Sequence, residues 1–444
     1  MKKLWICLLL LPLSAVAVIR AIPSIEPVQH AHQHITEINL NKNAGLTRTI
    51  YHQAIDLSGQ DYPDFVINQS RFNQHLMLDN CHINGPADIT WSRFLSTTDL
   101  TYNDFLNDLT VRYSQFANPV LFYKNHCHTD CALQNNQFNG LVSLARSQFD
   151  GALRLTQSIF KKPVNLSYST IMKTLNMTGA VFDAAVTLDH VTIHGAWIAK
   201  NTHFNAPVHM RDFLLPKYID FSGLHTETTL NLRHVSRTNK RSLVKINLLK
   251  TNISKILIDY QRFQLFFPPK TPYSQRMYVY TQLLKQFKQA DMKVSFNRLY
   301  RESQQYQYHM NNQHLLNILD QIWWDYGLQK DRIFLWIMIL LLGFSTINTL
   351  LYRRLVENFF DIKFLTNTEL SQLAQANCII RFIQTFPRAL LFTAYILFSG
   401  FINIRFGREV FKSNHLLINA YLMLISGIGF ICILFIIEML ISRI

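Results

Sequence analysis

An eleven-residue repeat runs through the first half of the chain and constrains its fold more than any other feature. Each repeat contains a large apolar residue or a cysteine at the same place, and a second apolar position follows six residues later. The apolar centres therefore alternate at spacings of six and five. Thirteen first centres follow one another without an insertion, at Phe72, Ile83, Phe94, Phe105, Phe116, Cys127, Phe138, Phe149, Phe160, Ile171, Phe182, Ile193 and Phe204.

Proline and glycine at fixed places in the repeat exclude a helical interpretation. An eleven-residue period is also typical of right-handed coiled coils. Four prolines lie three residues after a first centre, and such recurring prolines would break a helix at every occurrence. Short strands joined by turns accept proline and glycine at a corner. The corner residues are Pro86, Pro119, Pro163, Pro207, Gly85, Gly140, Gly151 and Gly195.

Two stretches show the repeat at its clearest: residues 147–155 (SQFDGALRL) and residues 180–188 (AVFDAAVTL). They resemble the pentapeptide-repeat family, in the subgroup whose phenylalanine centres alternate by five and six. The resemblance covers residues 61–232 and implies a mainly β chain, a right-handed quadrilateral β-helix with about 22 residues per coil and coils about 4.8 Å apart. Well-known members of the family imitate DNA with an acidic surface, and the near-neutral repeat region departs from that property.

The first residues have the composition of a secretory signal. Lys2 and Lys3 precede an apolar run that ends at Ile19, and small residues, Ala15 and Ala17, stand at the spacing that a signal peptidase accepts. We predict a signal peptide over residues 1–21 and an exported segment over residues 22–60, with an uncleaved anchor as the alternative.

The last third of the chain changes from strand-like to helical patterns. Residues 233–331 are expected to cap the solenoid and then form amphipathic helices, and residues 332–444 to anchor the chain. Apolar runs at 333–352 and 416–441 are long enough to span a bilayer. Residues 389–404 are apolar but short, with basic residues on both sides, which leaves a re-entrant segment or a third span open.

Basic residues suggest the orientation of this anchor. Arg353 and Arg354 follow the first span and are expected on the cytoplasmic side. A surplus of positive charge before that span favours contact with anionic lipid over nucleic acid; it includes Arg237, Lys240, Arg241, Lys245, Lys250 and Lys255.

Two segments near the anchor, residues 280–306 and 324–327, resemble the juncture of pentapeptide-repeat proteins that carry a two-helix module similar to a potassium channel. Such a module needs a Thr-Val-Gly-Tyr-Gly filter, because backbone carbonyls replace the hydration shell of the ion. The corresponding residues 389–404 read ALLFTAYILFSGFINI, so the filter is missing. A degenerate module that serves as an anchor or for oligomerisation is the interpretation that fits.

Three groups of residues are candidates for a site. His30, His32 and His34 alternate along the chain and could bind a metal from one face of a strand, although a polar linker is the simpler interpretation. Glu438 is the one charge inside the last span, where it is expected to reach the headgroups.

Cys127 and Cys131, which His126 and His128 bracket, are the best candidate pair. Both cysteines occupy inward positions of the repeat. Core filling by small residues is the first interpretation, a disulfide the second and a metal site the third.

The sequence contains no phosphate-binding loop, nucleophile elbow or zinc-protease motif, so we predict a non-enzymatic protein without a cofactor. The leading hypothesis is a scaffold that displays a periplasmic β-helix from a bacterial inner membrane to a protein or cell-wall partner. Its expected partners also include the lipid bilayer and further copies of the chain, but no nucleic acid. The alternative is a subunit of an ion-channel-like or mechanosensitive pore. A third hypothesis, an enzyme with a site on the face of the solenoid, would require a cluster of outward polar side chains that the sequence does not reveal.

Overall fold

The computed structural model describes residues 45–233, 235–237, 242–352, 355, 378–402 and 416–441. The chain divides into two compact units at residue 300. The first unit contains the repeat, and the second contains the apolar helices.

The repeat forms a parallel β-solenoid of about ten turns. Strands on each side pair with strands 22 residues further along the chain, as in the pairing of Phe94 with Phe72 and with Phe116. Two eleven-residue repeats therefore make one coil, and each coil adds one strand to each of four sides. The predicted four-sided β-helix is confirmed for the described residues.

We name the four sides A to D in chain order. Side A consists of Leu46–Thr47, Phe65–Asn68, Ala87–Thr90, Leu109–Arg112, Cys131–Gln134, Leu153–Arg154, Thr174–Asn176, Ala196–Ile198, Tyr218–Asp220, Val244–Asn247 and Phe263–Leu265. Side B consists of Ile50–Tyr51, Arg71–Phe72, Arg93–Phe94, Gln115–Phe116, Gln137–Phe138, Ile159–Phe160, Val181–Phe182, His203–Phe204 and His225–Thr226. Side C consists of Ile55–Asp56, Leu76–Met77, Thr98–Asp99, Val120–Leu121, Val142–Ser143, Val164–Asn165, Val186–Thr187 and Val208–His209. Side D consists of Asp61–Tyr62, His82–Ile83, Asp104–Phe105, His126–Cys127, Gln148–Phe149, Thr170–Ile171, Thr192–Ile193, Leu214–Leu215 and Ser236–Arg237, and a separate pair joins Leu230–Asn231 to Ile256–Leu257.

The first centres of the repeat lie inside the solenoid, alternately on sides B and D. On side B the phenylalanine rings stack in a continuous column, with ring centroids 4.6 Å apart between Phe94 and Phe116 and 5.1 Å apart between Phe182 and Phe204. The column is buried throughout. Since the coil spacing of a β-solenoid is close to the optimal stacking distance of aromatic rings, the repeat places each ring directly on the next.

Two kinds of corner connect the sides. The corners from B to C and from D to A contain the predicted proline and glycine positions. The corners from A to B and from C to D have a residue in the left-handed region every eleven residues, from Gln69 to Asp212, and glycine fills that place only at Gly179 within this range. Most of these left-handed residues are polar or aromatic, as Trp91 with a φ of 53° illustrates.

A ladder of buried polar side chains runs beside the apolar core. Ser92 donates its backbone N–H to the hydroxyl of Ser114 at 3.1 Å, and Asn103 donates its N–H to the side-chain oxygen of Asn125 at 2.6 Å, 22 residues away in each case. Buried polar groups without a partner would be costly, and these side chains satisfy the corner N–H groups of the neighbouring coil. The residues two places before most first centres are serines or asparagines with this hydrogen-bonding role, whereas Ala180 and Val191 at the same place have no side-chain polar group.

The solenoid extends beyond the repeat that the sequence shows. Its first described strand is Leu46–Thr47, before residue 61, and strands continue after residue 232 up to Phe263–Leu265. The turn Ile253–Lys255 and helix α1, Tyr273–Gln289, follow the last coils. The α1 side chain of Gln286 donates a hydrogen bond of 3.0 Å to the carbonyl of Ile256, so α1 packs against this end of the solenoid.

The remaining helices are α2 (Lys293–Met310), α3 (His314–Trp324), α4 (Arg332–Leu350), α5 (Cys378–Ile402) and α6 (Leu416–Ile441). Two segments are long and apolar enough to cross a membrane, Arg332–Leu350 and Leu416–Ile437, and α5 contributes the shorter apolar segment Phe382–Phe398. Residues 389–402 form the second half of α5.

One polar network joins α4, α5 and α6. The amide of Asn348 donates to the hydroxyl of Thr393 at 2.8 Å, and the hydroxyl of Tyr421 donates to the amide oxygen of Asn348 at 3.0 Å. Asn348 and Thr393 are buried. Hydrogen bonds of this kind hold helices together where apolar contacts give little specificity.

Candidate functional site

Cys127 and Cys131 lie in the solenoid core, as the first interpretation of this pair predicts, and both are completely buried. Cys127 takes the place that phenylalanine holds in the coils below and above, Phe105 and Phe149. The volume that the smaller residue leaves is filled by Phe122, whose ring centroid lies 5.8 Å from that of Phe105 and 6.2 Å from that of Phe149. The neighbouring coils have Leu100 and Leu144 at the place of Phe122. The two exceptions to the repeat thus compensate each other.

The two cysteines are free thiols in the structure. Burial raises the pKa of the Cys127 thiol well above its ordinary value, and hydrogen bonding with Cys131 raises it further. A thiol that stays protonated is a poor nucleophile and a poor metal ligand. The pair therefore has the properties of core residues, and the disulfide stays a prediction.

The outer surface of side D carries the group of side chains that is best suited to bind a ligand. Successive coils place His82, Asp104 and His126 in one outward column, because each pairs with the residue 22 positions further along. A second outward column lies two residues further along the chain, directly after each strand, where His128 and Asp150 follow each other at the same 22-residue offset. Since alternate residues of a strand point to the same face, the two columns are neighbours.

Hydrogen bonds draw these side chains into one cluster. The Nε2 atom of His128 lies 2.8 Å from Oδ1 of Asp104, and Nδ1 of His126 lies 3.8 Å from the same oxygen. On the other side, Nε2 of His126 lies 2.8 Å from Oδ2 of Asp150, and Nδ1 of His128 lies 3.8 Å from it. The two imidazole rings are 3.8 Å apart between centroids. His82 adds Nδ1 at 3.4 Å from Oδ2 of Asp104.

Asp150 is held in its ionised form. Hydrogen bonds from the amide of Gln148 at 2.8 Å and from His126 lower the pKa of Asp150, with the Gln148 contribution the largest, although partial burial acts in the opposite direction. A carboxylate only accepts hydrogen bonds, so His126 donates to Asp150 from Nε2, and its Nδ1 faces Asp104.

The ligand atoms of the cluster are of the kind that bind a cation, and they lie close enough together to share one. Asp104, His126 and His128 each place one ligand atom within 4.8 Å of the others. Their side chains are about one-third exposed, at 30%, 34% and 37%, so solvent reaches the cluster. Among the residues that the structure describes, no other group of three histidine, cysteine, aspartate or glutamate side chains meets this distance criterion.

Sequence reasoning noticed His126 and His128 only as neighbours of the cysteines and missed Asp104 and Asp150. The 22-residue coil could have identified both, since Asp104 precedes His126 and Asp150 follows His128 by one coil. The other sequence candidates are not tested: His30, His32, His34 and the side chain of Glu438 lie outside the described residues.

A second polar site lies in the unit that contains the helices. Arg301 donates three hydrogen bonds to Asp325, two from Nε at 2.9 and 3.0 Å and one from Nη2 at 2.6 Å. The pair lies beside a cleft of about 490 Å³ that Arg332 and Trp336 also line. The Asp325 side chain is only 8% exposed. The carboxylate neutralises the guanidinium, and the pair fixes the turn that follows α3.

Comparison with known proteins does not add a function to this geometry. No protein-family model, curated protein or solved structure is significantly similar to the chain.

Proposed function

We propose that the chain is a membrane-anchored, non-enzymatic scaffold of the bacterial inner membrane that displays its β-solenoid in the periplasm. The observation that carries the proposal is the combination in one chain of a solenoid and of two apolar helices at Arg332–Leu350 and Leu416–Ile437. The signal-like residues at the N-terminus and the arginines after the first span support the orientation.

The construction of the solenoid supports a role in recognition. Most of its inward residues are apolar or hydrogen-bonded; within the described part of the chain, the hydroxyl of Thr98 and the indole N–H of Trp197 are buried without a hydrogen-bond partner. Its outward residues stand at a regular spacing on four sides, and a surface of this kind suits a protein or cell-wall partner. The five-and-six spacing and the four-sided coil together favour the pentapeptide-repeat family as the origin of this solenoid.

Reporter fusions test the proposed topology. An enzyme that is active only in the periplasm and one that is active only in the cytoplasm are fused in turn after Thr238 and after Asn377. We expect periplasmic activity at the first position and cytoplasmic activity at the second. Cytoplasmic activity after Thr238 would exclude a periplasmic solenoid.

A further inference from the structure

We propose that Asp104, His126 and His128 form a binding site for one divalent transition-metal ion, of the class of Zn²⁺, on the outer surface of side D. Two imidazole nitrogens and a carboxylate oxygen are a ligand set that zinc accepts, with water in the remaining position. This site goes beyond the scaffold function and does not depend on the membrane topology.

Strand geometry brings the three ligands together. His128 directly follows the strand His126–Cys127 and donates its backbone N–H to the carbonyl of Phe105 at 3.0 Å, and Asp104 pairs with His126 from the previous coil. The nitrogens that turn towards Asp104 are Nδ1 of His126, at 3.8 Å, and Nε2 of His128, at 2.8 Å. Three donors from two hydrogen-bonded strands therefore converge on one point of a rigid surface.

Asp150 orients both rings from the opposite side. It accepts the hydrogen bond from Nε2 of His126, and it faces Nδ1 of His128 at 3.8 Å. Histidine ligands of metals commonly donate their second ring nitrogen to a carboxylate in this way, which fixes the ring and its tautomer. Ion binding to Nε2 of His128 requires that nitrogen to release its proton to solvent; the neutral ring then carries its one proton on Nδ1, which donates a hydrogen bond to Asp150.

The side chains need only a small rearrangement to hold an ion, in which Nε2 of His128 and Oδ1 of Asp104 separate slightly from 2.8 Å and Nδ1 of His126 moves inward. Zinc ligands at about 2.1 Å from a tetrahedral ion lie about 3.4 Å from one another, and the present ligand atoms lie within 4.8 Å. The side chains are partly exposed, so rotation about χ1 and χ2 brings them together without a change in the strands. His82, whose Nδ1 lies 3.4 Å from the second oxygen of Asp104, places a further imidazole nitrogen beside the site.

The experiment also separates this site from the two groups that the sequence offers as weaker metal-binding candidates. Cys127 is the inward neighbour of His126 in the side D strand and Cys131 begins the next strand of side A, whereas His30, His32 and His34 lie in the N-terminal segment. A metal on the thiols would show a thiolate charge-transfer band, which nitrogen and oxygen ligands do not produce.

The test measures Zn²⁺ binding to the purified full chain in detergent, by competition with a chromogenic chelator, and the absorption spectrum with Co²⁺ as a probe. The variants His126→Ala, His128→Ala and Asp104→Asn remove ligands. His194→Ala is the matched control, because His194 lies three coils after His128 at the same outward repeat position and is exposed. A triple alanine variant of the N-terminal histidines removes the competing group.

We expect one Zn²⁺ per chain, with affinity at least tenfold lower in each ligand variant and unchanged in His194→Ala and in the N-terminal triple variant. Asp150→Asn should weaken binding by about 10- to 100-fold while the stoichiometry and the Co²⁺ spectrum stay the same, as expected for a positioning residue. The Co²⁺ spectrum should lack a thiolate band.

Three results would overturn the proposal. They are an absence of saturable binding, binding that the triple N-terminal variant abolishes, and binding with a thiolate band that survives in His128→Ala. Thermal unfolding of each variant without metal checks the fold. A ligand variant that has the melting temperature of the wild type and yet binds Zn²⁺ equally well would refute the site.

Discussion

The compensation of the small Cys127 side chain by the large Phe122 side chain can be tested by a double-mutant cycle. Cys127 stands where coils on either side have a phenylalanine, and the Phe122 ring occupies the space between Phe105 and Phe149. Cys127→Phe alone forces a second ring into space that Phe122 already fills. Phe122→Leu alone leaves a gap, since the cysteine is too small to close it. Together they recreate the arrangement of the neighbouring coils.

The magnitudes follow from the sizes of the groups. Overpacking by Cys127→Phe should cost about 2 kcal/mol of unfolding free energy. Phe122→Leu removes three carbons from a fully packed site and should also cost about 2 kcal/mol. The double variant should stay within about 1 kcal/mol of the wild type, which gives a favourable coupling of about 3 kcal/mol.

The assay is denaturant unfolding of the full chain in detergent with a reducing agent, followed by far-ultraviolet circular dichroism. Phe182→Leu provides the control partner for Cys127→Phe, because it removes the same carbons from the side B column about 12 Å away by coil spacing. That control pair should be additive. A coupling below about 0.5 kcal/mol between Cys127→Phe and Phe122→Leu would refute the compensation.

Three further predictions concern stability. Gly195→Ala should lower the unfolding free energy by about 1 to 3 kcal/mol in the same assay, because a Cβ there would overlap the carbonyl of Lys173 in the previous coil; an unchanged midpoint would contradict this. Asn125→Leu should cost about 2 to 3 kcal/mol, since it leaves a buried N–H and a buried carbonyl of other coils without a partner, whereas a smaller loss would mean that water replaces the side chain. Burial opposes ionisation of Asp130, but hydrogen bonds from Ala152 and Arg154 lower the pKa of its carboxyl overall from 3.8. Asp130 should therefore stabilise the fold relative to Asp130→Asn at neutral pH, and this difference should vanish as the pH falls below about 4. A difference in melting temperature between the two proteins that does not change with pH would contradict this.

The sequence predicts the solenoid because one period determines most of it. An insertion-free step from Phe72 to Phe204 requires every coil to have the same length, and period-two burial within each strand then places the centres inside. The bounds of the solenoid could not be predicted in this way. Val244–Asn247 pairs with Tyr218–Asp220 at an offset of 27 residues, so the strands continue where the apolar period no longer reveals them.

The left-handed corners could not be predicted from composition. Left-handed backbone normally favours glycine or asparagine, yet Tyr102 and Tyr168 adopt it here with φ of 57° and 61°. The hydrogen bonds between coils hold these residues in place, as when the N–H of Tyr168 donates to the carbonyl of Asp189 at 2.9 Å. A local sequence signal does not contain such non-local constraints.

The side D cluster lies between these cases. Its backbone positions follow from the 22-residue coil, so the sequence could have predicted that Asp104 and His126 lie in one column on the outer surface. The side-chain rotations that turn His126 and His128 towards one carboxylate depend on contacts with Asp150 on the next coil. Only the structure shows that the columns meet.

The display of the solenoid outside the inner membrane is the central claim, and labelling of a single introduced cysteine tests it most directly. Lys161→Cys places a thiol at an exposed position of the solenoid, while Cys81, Cys127 and Cys131 are buried and serve as internal controls. Lys363→Cys lies in the sequence between α4 and α5. In intact spheroplasts, a membrane-impermeant maleimide should label Lys161→Cys and should label Lys363→Cys only after lysis. Labelling of Lys363→Cys in intact spheroplasts, with Lys161→Cys protected until lysis, would contradict the account.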